Sequence, residues 1–303
     1  MTTFSGAWPT MLTPYNDDLS IDFGAYRAIM EWYIAHKAGG LYASCLSSEM
    51  YHLSMGERLN LIKTAVFTSG GRVPVAATGN FGDSLQDHIE SCRQVAECGV
   101  DVVMLTVPSF LDSDDELEQY YLAIAEAVDA RLGFYECPVP REFHLNPALV
   151  GKLAHTGRFY AFKETASILE RHKEHLRAAA GTPLCLLQSN TFLVLDSTRA
   201  GATGSMTIGA IWVPDMVARV LEVALSTDPA VMQEAERLHG ILCTMKLAQR
   251  YVHPWGVRYL MAKRGLPITV RGRSGFRAPD ADTVMGLDYA ARLWFDAQGE
   301  LKV

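Results

Sequence analysis

Eight short β-rich segments, each followed by a helical stretch, occupy roughly the first 225 of 303 residues, a cadence that predicts a TIM (β/α)8 barrel. Several of these segments are continuous apolar runs, as expected of parallel strands covered on both faces. A doubly wound sheet is the competing fold, but no GxGxxG follows the first strand.

The strands are expected at residues 7–12 (AWPTML), 40–45 (GLYASC), 73–77 (VPVAA) and 101–106 (DVVMLT). Four more follow at 132–135 (LGFY), 159–163 (FYAFK), 183–187 (PLCLL) and 204–208 (GSMTI). Between them lie helices. Residues 23–36 place Phe23, Tyr26, Ile29, Met30 and Tyr33 close to a 3.6-residue period. Residues 117–130 repeat that pattern after the acidic run DSDDE, which suits a helix N-terminus. Beyond the barrel, 231–250, 254–264 and 281–297 read as helices. Residues 1–225 are therefore expected to form the barrel, with 226–303 a helical appendage packed on it.

A chain with 49% hydrophobic and 20% charged residues can bury a sizeable core. Its net charge of −7 argues against nucleic acid or an anionic membrane as a partner. No apolar run reaches the roughly 18–20 residues that span a bilayer, and the first residues lack the basic start and long apolar stretch of a signal peptide. The six cysteines (45, 92, 98, 137, 185 and 243) form no CxxC pair. A cytoplasmic protein with free thiols is expected.

The sixth strand ends on Lys163, at the face where barrels carry their chemistry. An inward amine, alongside Ala161 and Phe159, would be desolvated, which lowers a lysine pKa. Only a neutral amine attacks a carbonyl, so a Schiff base to a keto acid is the natural product. Pairing with a carboxylate or reaching out to solvent is the ordinary alternative, and Glu164 points to the other face. Strand five ends on Tyr135, whose phenol could serve as general acid and base or could be an aromatic core residue with its hydroxyl at the surface. Ser47 and Ser48, in the loop after strand two, could hold a small carboxylate or simply form a turn with a helix cap.

These residues, with Thr13-Pro14, the Gly40–Glu49 stretch, YECP at 135–138, FKE at 162–164 and GATGS at 201–205, resemble the dihydrodipicolinate synthase and N-acetylneuraminate lyase family of pyruvate-dependent class I aldolases. The likeness runs from Gly6 to about Leu260. It implies a TIM barrel with C-terminal helices, a homo-oligomer (tetramer or dimer), pyruvate and an aldehyde as substrates, and no metal or organic cofactor. By it, Lys163 forms the Schiff base, Tyr135 moves protons, Ser47 and Ser48 hold the pyruvate carboxylate, and Met206 lines pyruvate through its backbone carbonyl. Arg141 matches the carboxylate-binding arginine, displaced by one residue.

Leu46 and Phe110 stand where the lysine-pathway synthase has a threonine and a tyrosine of its proton relay, and neither can pass a proton. The expected activity is therefore cleavage or formation of a 2-keto acid, a 2-keto-3-deoxy sugar acid first, at a polar mouth made by Glu136, Gln188, Ser189 and Asn190. The synthase reaction with aspartate semialdehyde, an aromatic hydratase-aldolase with Phe110 and Trp212 stacked on a ring, and a non-catalytic binding protein are the alternatives. Metal catalysis finds no ligand spacing, since His172 and His175 sit in a charged helix and should face solvent. Residues 201–204 read as the start of strand eight rather than a phosphate loop for pyridoxal phosphate.

Overall fold

A computed structural model describes residues 4–249, 253–275 and 279–297. Eight parallel strands run in the order β1-β8-β7-β6-β5-β4-β3-β2. They are β1 (Gly6–Ala7), β2 (Leu41–Ser44), β3 (Val75–Thr78), β4 (Val102–Thr106), β5 (Leu132–Tyr135), β6 (Phe159–Glu164), β7 (Cys185–Gln188) and β8 (Gly204–Ser205). The ring closes between β1 and β2 through parallel bridges Ala7–Ala38 and Thr10–Tyr42. Gly39 N donates to Ala7 O at 2.7 Å and Tyr42 N to Pro9 O at 3.0 Å.

The expected strand over 7–12 is regular only at its first residue. Pro9 has no N–H to continue a ladder, so the rest is extended chain held by isolated bridges. β8 likewise stops at Ser205, because the chain turns at Thr207, whose hydroxyl accepts from Ala210 N at 3.3 Å.

The helices between strands are α1 (Phe23–Ala35), α2 (Met55–Ser69), α3 (Leu85–Ala96), α4 (Asp114–Ala127), α5 (Pro147–Ala154), α6 (Leu169–Ala178) and α7 (Val194–Ala200). Side chains start most of them. Asp22, Ser54, Ser84, Ser113 and Asn146 each accept a backbone N–H at an N-terminus, and Glu57 and Glu116 complete capping boxes. After β8 come α8 (Gly209–Trp212), α9 (Pro214–Val223), α10 (Pro229–Gln249), α11 (Trp255–Lys263) and α12 (Ala281–Ala297). α10 lies along α9 and α7, α11 against α8, and α12 across α10 and α11. Among the described residues no helix is long and apolar enough to cross a membrane.

Strand alternation divides the core in two. The barrel interior holds Trp8, Tyr42, Ala76, Met104, Tyr135, Ala161, Leu187 and Met206. The layer between strands and helices holds Val103, Leu105, Phe134, Phe162 and Leu186, with the helix faces. Phe159 does not point inward with Ala161. A register shift opposite Leu132 and Gly133 turns it to the outer layer, where it stacks on Phe134 at 4.3 Å. Trp212 is also buried in the outer layer, away from any substrate ring.

Gly204 sits where the ring closes, and a Cβ there would meet Gly6 O, Gly6 N at 2.7 Å and Leu187 Cδ2 at 2.9 Å. Backbone cannot yield as a side chain does. Gly204→Ala is expected to cost about 1–3 kcal/mol of stability, read by denaturant unfolding; an unchanged midpoint would show that β1 moves freely.

Candidate active site

Register brings the two chemical residues side by side. Tyr135 of β5 pairs with Lys163 of β6, and Lys163 with Leu187 of β7. Both side chains enter the barrel, Lys163 only 6% exposed and Tyr135 only 2%. Lys163 Nζ lies 4.3 Å from the Tyr135 ring centre and 5.5 Å from that of Tyr42, and the two rings meet edge-on at 5.7 Å. No carboxylate of the described residues pairs with the amine.

Two effects oppose each other here. The aromatic faces favour an ammonium, by roughly 1–2 kcal/mol in a desolvated setting. Burial disfavours it more strongly, and the Lys163 pKa is held below its ordinary value, although the Cys45 and Cys137 thiols nearby push the other way. Burial also raises the Tyr135 phenol well above its ordinary value, reinforced by Cys137, Tyr42 and Cys45. The pair is thus an amine whose charged form is disfavoured beside a phenol that holds its proton more tightly than usual.

The turn after β2 supplies the hydroxyls. Ser48 Oγ accepts from Cys45 N and donates to Cys45 O, both at 2.7 Å, so its side chain is consumed in holding its own turn. Ser47 is different. Its Oγ lies 3.4 Å from Thr10 Oγ1 and 3.3 Å from His253 Nε2, at the barrel mouth. His253 is part-buried, and desolvation followed by the charges of Lys246, Lys163 and Arg258 pushes its pKa down to about 3. Glu49 ends the turn with φ 61° and accepts from Arg258 at 2.5 Å and from the backbone N–H groups of Arg273 and Ser274. Glu49, His253 and Ser274 line a cavity of about 350 Å3 with Leu46, Tyr51 and His52 among others.

Behind Lys163 lies a second polar layer. Glu164 points outward and accepts from Ala166 N at 2.8 Å, from Gln188 Nε2 at 3.0 Å and from His172 Nδ1 at 3.2 Å. His172 and His175 do not face solvent as their charged helix suggested. Both are fully buried against the strand ends, His175 bonded to Leu145 O at 3.0 Å and edge-on to Phe162 at 5.0 Å. α6 offers few apolar side chains, so the imidazoles form its inner face.

Other expected site residues are engaged elsewhere. Arg141 pairs with Asp112 and donates to Leu111 O at 2.6 Å and Pro108 O at 3.3 Å, pinning one loop to another at the rim. Glu136 is buried, accepting from Leu145 N and Thr165 N, both at 2.8 Å. Gln188 also accepts from Asn190 N at 2.7 Å, and Asn190 accepts from Phe192 N at 3.1 Å. Ser189, the remaining residue of the expected polar mouth, donates its N–H to Glu164 O at 3.1 Å. Met206 is buried in the barrel interior and donates its N–H to Gln188 O at 2.9 Å. Phe110 is half-exposed on the rings of His88 and Tyr120. Sequence reasoning missed Tyr42, which faces the barrel interior between Leu41 and Ala43 of the outer layer, and His253, for which a lone residue before a proline gave no signal.

A closed eight-stranded barrel, with a buried lysine ending its sixth strand beside a tyrosine of the fifth, has the frame of a class I pyruvate-dependent aldolase, a carbon–carbon lyase. Residues 3–282 match the Dihydrodipicolinate synthetase family, and the chain belongs to it. The 4-hydroxy-tetrahydrodipicolinate synthase of Acidithiobacillus ferrooxidans is 30% identical over 226 residues, 74% of this chain and 77% of that protein. That of Pelobacter propionicus is 28% identical over 237 residues, 78% and 80% of the two chains. Among solved structures, the synthase of Methylacidiphilum fumariolicum superposes with a TM-score of 0.88 at 20% identity, covering 98% of both chains. An Escherichia coli K12 prophage protein of the same family, in complex with pyruvate, gives 0.85 at 20% identity, covering 99% of both.

Glu164 provides a pH test of the layer behind the lysine. Burial alone would raise its carboxyl, but His172, Gln188 and the Ala166 N–H hold it below the ordinary 4.5. A carboxylate depressed on folding stabilises above its unfolded pKa and loses that contribution as pH falls through the folded one. Glu164→Gln should therefore be less stable than the parent at pH 7, with the gap narrowing as pH drops below 4.5, by urea unfolding at each pH. A gap that stays constant would place the variant's effect in packing alone.

Proposed function

We propose that the protein is a Schiff-base lyase that cleaves a 2-keto acid, a 2-keto-3-deoxy sugar acid as the class to try first, to pyruvate and an aldehyde, or runs the reverse addition. One observation carries this reading: Lys163 Nζ buried, unpaired with carboxylate and 4.3 Å from the Tyr135 ring. The substrate half rests on the mouth, where Tyr51, His52 and Ser274 offer polar groups to a hydroxylated chain.

The chemistry follows from the two protonation states. The neutral Lys163 amine attacks the C2 ketone, while the substrate carboxylate rests on Ser47. Tyr135, still protonated, gives its proton to the carbinolamine hydroxyl, which leaves as water; an iminium and a phenolate remain. The phenolate then takes the C4 hydroxyl proton as the C3–C4 bond breaks and its electrons enter the iminium, giving an enamine and a free aldehyde. Tyr135 returns that proton to C3, and water releases pyruvate from Lys163. The positive iminium and the phenolate stabilise one another in a site of low polarity.

Leu46 borders the mouth and Phe110 stacks half-exposed on His88, and neither has an exchangeable proton. That supports cleavage over the synthase reaction, in which a semialdehyde condenses and cyclises. The synthases at 28% and 30% identity favour the second reading, condensation of pyruvate with aspartate semialdehyde.

Pyruvate with borohydride should label Lys163 and no other residue, as located by mass spectrometry. Lys163→Ala should give no adduct, and Tyr135→Phe should form it about 100-fold more slowly. Pyruvate release from 2-keto-3-deoxy acids, with no condensation of aspartate semialdehyde, is the expected pattern. Label elsewhere would overturn the mechanism, and the opposite substrate pattern would establish the second reading.

A further inference from the structure

His253 comes from outside the eight strands, just ahead of α11, yet its ring reaches the barrel mouth. Its Nε2 lies 3.3 Å from Ser47 Oγ. Its Nδ1 is buried and has no hydrogen-bonding partner among the described residues. A neutral imidazole carries one proton, and the contacts on its two nitrogens decide where it sits. A buried N–H left without an acceptor is costlier and rarer than an unused lone pair. The orphaned Nδ1 therefore favours the tautomer with hydrogen on Nε2, and that hydrogen points at Ser47.

This sets the direction of the contact between His253 and Ser47. Ser47 Oγ has two lone pairs and one proton. One lone pair accepts from His253 Nε2, and Thr10 Oγ1, at 3.4 Å, is placed to donate to the other. The Ser47 proton then remains free for a ligand. We infer that His253, as the Nε2–H tautomer, is a positioning residue that turns the Ser47 hydroxyl into an obligate donor to the carboxylate of a 2-keto acid. The inference rests on the proposed placement of that carboxylate on Ser47.

The surroundings agree with an anion at this point. Lys246 and Arg258 lie close enough to disfavour a charge on the imidazole, and the same field attracts a carboxylate. With its pKa near 3, His253 stays neutral over the range in which the enzyme is assayed, so the donor direction does not change with pH. The opposite arrangement, in which Ser47 donates to Nε2, would leave Nδ1–H buried without an acceptor and present lone pairs of Ser47 to a negative ligand.

The test compares pyruvate with methyl pyruvate, which keeps the ketone but lacks the carboxylate, by borohydride trapping on the full chain. For His253→Ala the pyruvate concentration giving half-maximal labelling of Lys163 should rise about tenfold or more, as for loss of a charge-assisted hydrogen bond. The maximal labelling rate should stay close to that of the parent, and methyl pyruvate should show no shift. His253→Gln, which keeps an amide donor, should recover most of the pyruvate affinity. Nitrogen NMR of the parent should show the proton on Nε2 of His253 from pH 5 to pH 8. Equal losses for pyruvate and its ester, unchanged half-saturation in His253→Ala, or a proton on Nδ1 would each overturn the inference. Failure of the parent to label at all would instead remove the Schiff-base reading beneath it.

Discussion

Desolvation of one amine organises this molecule. Lys163 stands at the end of an apolar strand with no carboxylate partner among the described residues, and its ammonium form is penalised by burial. Such a group persists only where the surrounding structure compensates. The compensation is aromatic: Tyr135 and Tyr42 present their ring faces to Nζ, which softens the cost of charge without restoring it fully. A carboxylate in their place would favour the ammonium form of the lysine.

The same constraint explains the division of polar labour around β6. Around β6 few polar residues face into the barrel, while those facing out form a dense network in which Glu164 joins Gln188 and His172, and Glu136 satisfies nearby backbone groups. That network fixes the height and twist of the β5, β6 and β7 ends, and so the separation of Lys163 from Tyr135. Alternation along a strand keeps the two layers apart, so the Glu164 carboxylate sits one residue from the lysine in sequence without facing its amine. Site polarity and scaffold polarity thus share the same few residues of chain.

Much of this was legible in the sequence. Strand cadence gave the barrel, and the apolar run ending at Lys163 gave both the inward amine and its neighbour across the strand, because period-two alternation and parallel register leave little choice. What failed did so for identifiable reasons. Phe159 was read inward because a bulge opposite Leu132 is not written in any residue pattern. His172 and His175 were read as exposed because charge around them outweighed their own three-residue spacing, yet that spacing is what places both on the buried face. Glu136, Gln188 and Asn190 looked like ligand-binding groups, but polar residues at strand ends are as often needed to satisfy the backbone of the loops. His253 was out of reach, since its position depends on how helices beyond the barrel fold back over it.

Glu49 draws together the turn after β2, Arg258 of α11 at 209 residues' remove, and the backbone of Arg273 and Ser274. Part of the rim is thus supplied by residues more than 200 positions beyond the turn they brace. Every strand, and Lys163 with them, precedes these residues in the chain, so this wall is built from residues the eight strands do not contain. A barrel formed without them would hold its buried amine in an open bowl.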